Sequence, residues 1–269
     1  MKKTSLFVLV LTLITAATTS YADAPDVTTI IKKSDEAMNS MLAGTRKITV
    51  TVKDGKNVTN EWVARRAYRL FDDGRRELMI FLEPDYLKGY AYMYFKPFNK
   101  PVIEWVYSTP TRRVRKLSGA NAYESFFATD FTYADLGIKD PGGSSTLLGE
   151  EQFEGKKVYK VETLPNEKYY YSRIISLIAC DNFVPIKRDY FDAANRHWKT
   201  KLFKDYTVIN NIPIPLKIIM LDLQRTHSTE LSFGDICFDA EYLTKEDFDP
   251  EKLSNATLSP VCRVPTPAN

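Results

Sequence analysis

The chain has 269 residues, 44% of them hydrophobic and 26% charged, and its 37 Lys and Arg against 34 Asp and Glu leave a formal charge of +3. That near-neutral balance gives no reason to expect nucleic acid as a partner, and the apolar content is that of a chain able to bury a core. No Gly-, Ser- or Pro-rich linker, internal repeat or low-complexity block divides it, so one large β domain is expected.

Lys2 and Lys3, the apolar run Leu6 to Ala17 and Ala22-Asp23-Ala24 read as a secretory signal over residues 1–24, cleaved near Ala24. The run is short of the roughly 20 residues that a membrane-spanning helix needs. The mature chain, residues 25–269, is then an exported single domain with a net charge of +2, since two lysines and one aspartate leave with the signal. Asp26 to Leu42 reads as an amphipathic helix with Val27, Ile30, Ile31, Met38, Met41 and Leu42 on one stripe. Asp26 is its candidate N-cap and Gly44 lies just past its end. The stripe needs a sheet to cover, either as a lid over a cavity or as a plain packing helix.

From Arg46 the period changes to two. Ile48, Val50 and Val52 alternate with polar residues up to Asp54-Gly55, a second strand runs through Trp62, Ala64 and Tyr68 to Asp73-Gly74, and Leu78 to Leu82 follows. Asp-Gly turns between apolar runs predict an antiparallel meander. In Gly89 to Phe98, Tyr90, Tyr92 and Tyr94 share one face and Ala91, Met93 and Phe95 the other. Neither face is polar. That suits a curved sheet with a wide apolar interior, and equally a sheet packed by a helix on one side and screened by tyrosines on the other.

The chain is organised around Trp105 to Leu136. Trp105-Val106-Tyr107 is strand-like and Thr109-Pro110-Thr111 a turn. A basic segment of Arg112, Arg113, Arg115 and Lys116 follows, then, past Ser118-Gly119, a loop holding Phe126, Phe127, Asp130, Phe131, Tyr133 and Asp135. Each ring removed from water contributes roughly 1.5–3 kcal/mol, so this loop should fold back as a plug or rim at the mouth of a curved sheet. After Gly142-Gly143-Ser144-Ser145, strands are expected at Leu147–Glu151, Lys157–Leu164, Tyr169–Ala179, Val184–Phe191, His197–Val208, Ile212–Leu223 and Ser228–Phe238. Roughly ten evenly spaced strands with one helix form the pattern of a large barrel or half-barrel.

Trp105, Tyr107, Pro110, Arg112, Arg113, Val114, Arg115 and Ser118, followed by Phe127, Asp130, Phe131, Tyr133 and Asp135, resemble the outer membrane lipoprotein-sorting proteins of the LolA-like superfamily. Departures are Lys116 for an Arg, Ala128-Thr129 where Gly-Ser is usual, and Ala134 for a Glu. A Gly in place of Ala128 would supply a backbone conformation that Ala resists. Weaker matches at Asp181–Lys187, at Pro215 and Met220, and at Asp247, Phe248 and Leu253 extend the resemblance over about Asp26 to Leu253.

Catalytic signals are poor. His197 and His227 are the only histidines and lack metal-ligand spacing. Gly142-Gly143-Ser144 is no nucleophile elbow. Asp130 and Asp135 read as an acid–base pair or, better, as partners for backbone amides of the loop. No enzyme, metal or cofactor is expected. The three cysteines allow one bridge and a spare thiol, with Cys237–Cys262 pinning the C-terminus, or three free thiols with Cys180 in the core. The basic run is an exposed edge whose charge blocks pairing, a docking patch for an anionic headgroup or acidic partner, or a set of internal ion pairs to Asp130 or Asp135.

The resemblance implies a curved antiparallel sheet, an incomplete barrel closed by the N-terminal helix and the Phe126–Leu136 loop. It implies a monomeric periplasmic carrier that shelters the acyl chains of a lipid or lipoprotein and passes them toward the outer membrane. An inner-membrane transporter and an outer-membrane acceptor would be its partners. Trp62, Phe81, Tyr92, Tyr94, Trp105, Tyr107, Phe126, Phe127 and Phe131 are the candidate cavity residues. The alternative is an interaction module that carries nothing, an accessory to an inner-membrane lipid exporter or an envelope-stress sensor.

Overall fold

The computed structural model describes residues 25–39, 42–117, 119–136, 141–166, 169–238 and 240–258. The expected signal peptide, Met41 and Cys262 lie outside them. Among the described residues no helix is long and apolar enough to cross a membrane.

Helix α1 (Val27–Asn39) starts where its cap predicts: the Asp26 carboxylate accepts from the Thr29 amide at 3.0 Å and from its hydroxyl at 2.6 Å. Ile30, fully buried, seats the helix on Tyr159, Val161 and Ile178. Gly44 is not a helix stop. It lies within the first strand, where a side chain would run into the Tyr68 hydroxyl and the Cys237 carbonyl.

The chain then forms β1 (Ala43–Asp54), β2 (Asn57–Phe71), β3 (Gly74–Glu83), β4 (Ala91–Pro97), β5 (Ile103–Ser108) and β6 (Arg113–Lys116). A second run gives β7 (Ser144–Phe153), β8 (Lys156–Leu164), β9 (Arg173–Ala179), β10 (Pro185–Phe191), β11 (His197–Ile209), β12 (Ile212–Asp222) and β13 (His227–Cys237). All thirteen belong to one antiparallel sheet, ordered β6-β5-β4-β3-β2-β1-β13-β12-β11-β10-β9-β8-β7. It is therefore two meanders joined where β1 meets β13, with Val50 opposite Leu231. The ends, β6 and β7, do not meet, so the barrel is incomplete. The expectation of about ten strands undercounts, because the basic run forms a strand of its own. Asn210 and Asn211, at φ 52° and 62°, make the β11–β12 turn of the kind that needs two left-handed residues. Tyr169 to Tyr171, expected to open a strand, precede β9; Tyr171 is buried against Tyr190 and Trp198 instead.

Eight adjacent strands, from β4 through β1 and β13 to β10, all present side chains to one cavity. Laid flat they would span roughly 34 Å at the usual strand spacing, so the sheet must curl around that space. Its outer face is not bare. Leu78, Ala91, Met93 and Tyr107 pack under Leu243, Phe248 and Leu253 of the C-terminal segment, whose 3-10 turns are Lys245–Phe248 and Pro250–Asn255. The two apolar faces of β4 are thus explained: the inner one meets the aromatic loop, the outer one this segment.

Candidate functional site

The loop between β6 and β7 enters the curl. Its hairpin is closed by the Phe126 amide on the Phe131 carbonyl at 2.8 Å, with Ser125 bridged to Thr132. Phe127 and Ala128 turn the tip at φ 46° and 60°. Phe126 lies 5.3 Å from Tyr92 and 5.1 Å from Tyr133, ring centre to ring centre, and Phe127 lies 4.3 Å from Phe81. With Val50, Val52 and Trp62 these rings fill the apolar end of the inner face.

Two aspartates hold the plug. Asp130 accepts from the Thr229 hydroxyl at 2.7 Å and faces His227 Nδ1 at 2.7 Å, while its amide donates to Thr229 Oγ1 and its carbonyl accepts from Lys199 Nζ. Asp135 accepts from the Thr132 amide and from the Tyr170 and Tyr171 hydroxyls, and Lys199 Nζ lies 3.8 Å away. Both carboxylates are buried and hydrogen-bonded within the protein, which favours an anchoring role over acid–base chemistry. Burial lowers the Lys199 pKa despite these acids, and burial beside Asp135 raises that of Tyr170.

Beyond the plug a cavity of about 450 Å³ remains, bordered by Asp35 and Met38 of α1, the loop and the inner face. Its wall divides along the strands. Ile48, Trp62, Met79, Phe126 and Phe131 form an apolar side; Arg46, Arg66, Arg75, Lys96, Arg188 and Lys201 form a cationic one. Arg46 stands directly opposite Arg66 across β1–β2, and Arg188 opposite Lys201 across β10–β11. Glu77 answers Arg66 and Arg75, accepting from Arg66 Nε at 2.5 Å and Arg75 Nε at 2.8 Å. Burial alone would raise its pKa, but the two guanidiniums pull it down to about 2. The Arg46 side chain has no ion pair or hydrogen bond among the described residues; it lies over the rings of Phe233, at 4.9 Å, and Tyr68, at 5.6 Å. Burial, then Arg66, lowers its pKa to about 10. Burial, then Arg188, lowers that of Lys201 to about 8.

Of the candidates read from the sequence, Trp62, Tyr92, Tyr94, Phe126 and Phe131 line this cavity. Phe81 and Phe127 pack behind them in the same cluster. Trp105 and Tyr107 belong to the outer-face cluster. Arg112, Arg113, Arg115 and Lys116 are exposed, at or on the edge strand β6, and the cations near Asp130 and Asp135 are Lys199, Arg225 and His227 instead, so the internal ion-pair reading of the basic run is set aside. Cys180 keeps a free thiol and Cys237 is disulfide-bonded. The inward cations were missed, although the signal was present: Arg46 precedes Ile48 by two residues and Arg66 follows Ala64 by two, placing each on the apolar face of its strand. No group of three or more His, Cys, Asp or Glu among the described residues is placed to hold a metal.

Several solved structures share the fold. A domain from Vibrio parahaemolyticus named for outer membrane lipoprotein sorting is 21% identical over 84% of this chain and 97% of its own, with a TM-score of 0.75. A DUF1329 family protein from Desulfovibrio piger is 20% identical over 83% and 98%, with a TM-score of 0.74. A LolA superfamily protein from Nitrosomonas europaea is 16% identical over 84% and 98%, with a TM-score of 0.65. No curated protein matches significantly. A family model described as "-like: Uncharacterized protein" matches residues 73–255. The chain belongs to that family, and its fold is LolA-like.

Proposed function

We propose that this protein is a periplasmic carrier, exported by cleavage near Ala24, that takes an acyl chain of a lipid or lipoprotein into the curl of its sheet and passes it toward the outer membrane. The observation that carries this reading is the cavity of about 450 Å³ between the inner face, α1 and the aromatic loop. Its volume lies in the range of small-ligand pockets, roughly 300–1,000 Å³. Trp62, Tyr92, Phe126 and Phe131 offer rings to a methylene chain there. Movement of the loop away from β1 and β2 would enlarge the space, since Phe126 and Phe127 occupy its apolar end. The exposed cations of β6 are the docking surface of this reading, for a membrane transporter or acceptor, and Cys237–Cys262 is its C-terminal staple. Lipid extraction and mass spectrometry of the protein purified from its native envelope tests the carrier. Stoichiometric copurified lipid is the expected result; a lipid-free preparation that also fails to take up a fluorescent fatty acid overturns it.

One observation favours a second reading. Four of the chain's own rings (Phe126, Phe127, Phe131 and Tyr133) occupy much of the hollow, as in a domain whose role is to bind a partner rather than cargo. That overturning result, together with a stable membrane-protein complex lost when β6 is neutralised, would establish the interaction module.

A further inference from the structure

We infer that the cavity's cargo is an amphiphile with an anionic head, a carboxylate or a phosphate, seated on Arg46, Arg188 and Lys201 with its tail against Trp62 and Phe126. This rests on the carrier reading and names its substrate class. Two pairs of like charges, Arg46 opposite Arg66 and Arg188 opposite Lys201, line one cavity. Directly opposed like charges on a sheet repel, and burial removes the water that would screen them. Glu77 forms its ion pairs with Arg66 and Arg75, and reaches Arg46 only as a more distant charge. Asp35 and Asp135 also border the cavity, but Asp35 is exposed on α1 and the Asp135 carboxylate is engaged by Thr132, Tyr170 and Tyr171 with Lys199 close by.

Three cations form no ion pair among the described residues. Arg46 is 9% exposed, and its side chain makes no ion pair or hydrogen bond among the described residues. Arg188 makes no ion pair among them; its guanidinium meets the Tyr190 hydroxyl, but its Nε is buried with no hydrogen-bond partner. Lys201, 8% exposed, donates to the Asp135 carbonyl at 3.0 Å and otherwise lies over the rings of Phe131 and Phe203. Unpaired buried charge costs stability, so a fold that retains three such groups around one space is arranged for an anion to enter it. The guanidiniums suit the forked oxygens of a carboxylate or phosphate. The apolar wall directly alongside requires that the anion bring a tail.

The delipidated protein is titrated with pyrene-labelled hexadecanoic acid, its methyl ester and pyrene-labelled lysophosphatidic acid, read by fluorescence. At least one anionic probe should bind about tenfold or more tighter than the ester, the scale of a charged hydrogen bond. Arg46→Met and, separately, Lys201→Met should each shrink that ratio to within about threefold, with circular dichroism and melting temperature showing both variants folded. Preference for the acid or for the lysophospholipid identifies a fatty acid or a phospholipid as the source. Equal binding of acid, lysophospholipid and ester overturns the headgroup assignment while leaving a carrier. A ratio that persists in both variants overturns the assignment to these cations. Failure of all three probes to bind overturns the carrier reading itself.

Discussion

Asp130 and His227, 97 residues apart, meet at 2.7 Å between Oδ1 and Nδ1, and this contact ties the tip of the aromatic loop to β13. Thr229, two residues along the same strand, adds a reciprocal pair of hydrogen bonds to the Asp130 amide and carboxylate. The plug is therefore latched by polar bonds while its rings supply the apolar burial. A loop held this way can leave as a unit when the latch is broken. Asp130→Ala removes the carboxylate from a buried site and leaves Thr229 and His227 without it, for a cost of about 2–4 kcal/mol. Denaturant melts should record that loss, and hydrogen exchange should speed up at the Phe126 and Thr129 amides, which bond within the loop. Unchanged exchange there would mean the rings alone hold the plug.

Ala128 is a second weak point. It adopts φ 60° beside Phe127 at φ 46°, a left-handed pair in which a Cβ costs roughly 1–2 kcal/mol per residue. Part of any gain from glycine is returned through the freer unfolded chain. Ala128→Gly should raise stability by about 0.5–1 kcal/mol, measured by thermal or urea melting. A loss of stability would place the cost of the tip elsewhere.

The aromatic loop also shows which features are legible in the sequence. The ring density of Phe126 to Tyr133 is local, so neighbouring residues alone announce the plug, while the strained tip at Ala128 shows only as a departure from the LolA-like pattern the segment resembles. Strands are equally legible, because a period of two and Asp-Gly turns need only a few neighbouring residues. What is not legible is assembled at long range. β1 pairs with β13, which brings Arg65 of β2 within 3.4 Å of Asp235 of β13, and no local pattern announces that closure. The cationic wall comes from β1 to β4 on one side and β10 and β11 on the other, so its charges converge only once the sheet has curled. Leu243, Phe248 and Leu253, sparse apolar residues in a polar tail, give no hint that they cover the outer face.

Glu77 binds the cationic wall together, accepting from both Arg66 and Arg75 while only 5% exposed. Glu77→Gln leaves those guanidiniums facing Arg46 with no carboxylate between them and should cost about 3–5 kcal/mol. The pH dependence has a definite sign. The folded-state pKa of Glu77 is about 2 against an ordinary 4.5. Its contribution is therefore fully present above pH 4.5 and is lost as pH falls toward 2. Melts of the wild type should decline steeply over that window, and the Gln variant should start lower and decline less. Parallel curves for the two proteins would remove Glu77 from the account.

Lys201 gives the opposite edge of the pH range. Its folded pKa, about 8, lies below the ordinary 10.5, because burial and the facing Arg188 disfavour its charge. Between those two values the unfolded chain holds the proton that the folded chain has released, so stability rises with pH from about 8 to 10.5 and the gain is lost as pH falls back through 8. Lys201→Met should be more stable than the wild type at pH 7 and should flatten this rise; difference melts between pH 7 and 10.5 measure it. The same deprotonation removes one of the three cations offered to cargo, so an anionic probe should be released progressively above pH 8, and the Met variant should show no such step. Stability and anion affinity thus change in opposite directions across one titration. A merely structural lysine would move the first and leave the second untouched.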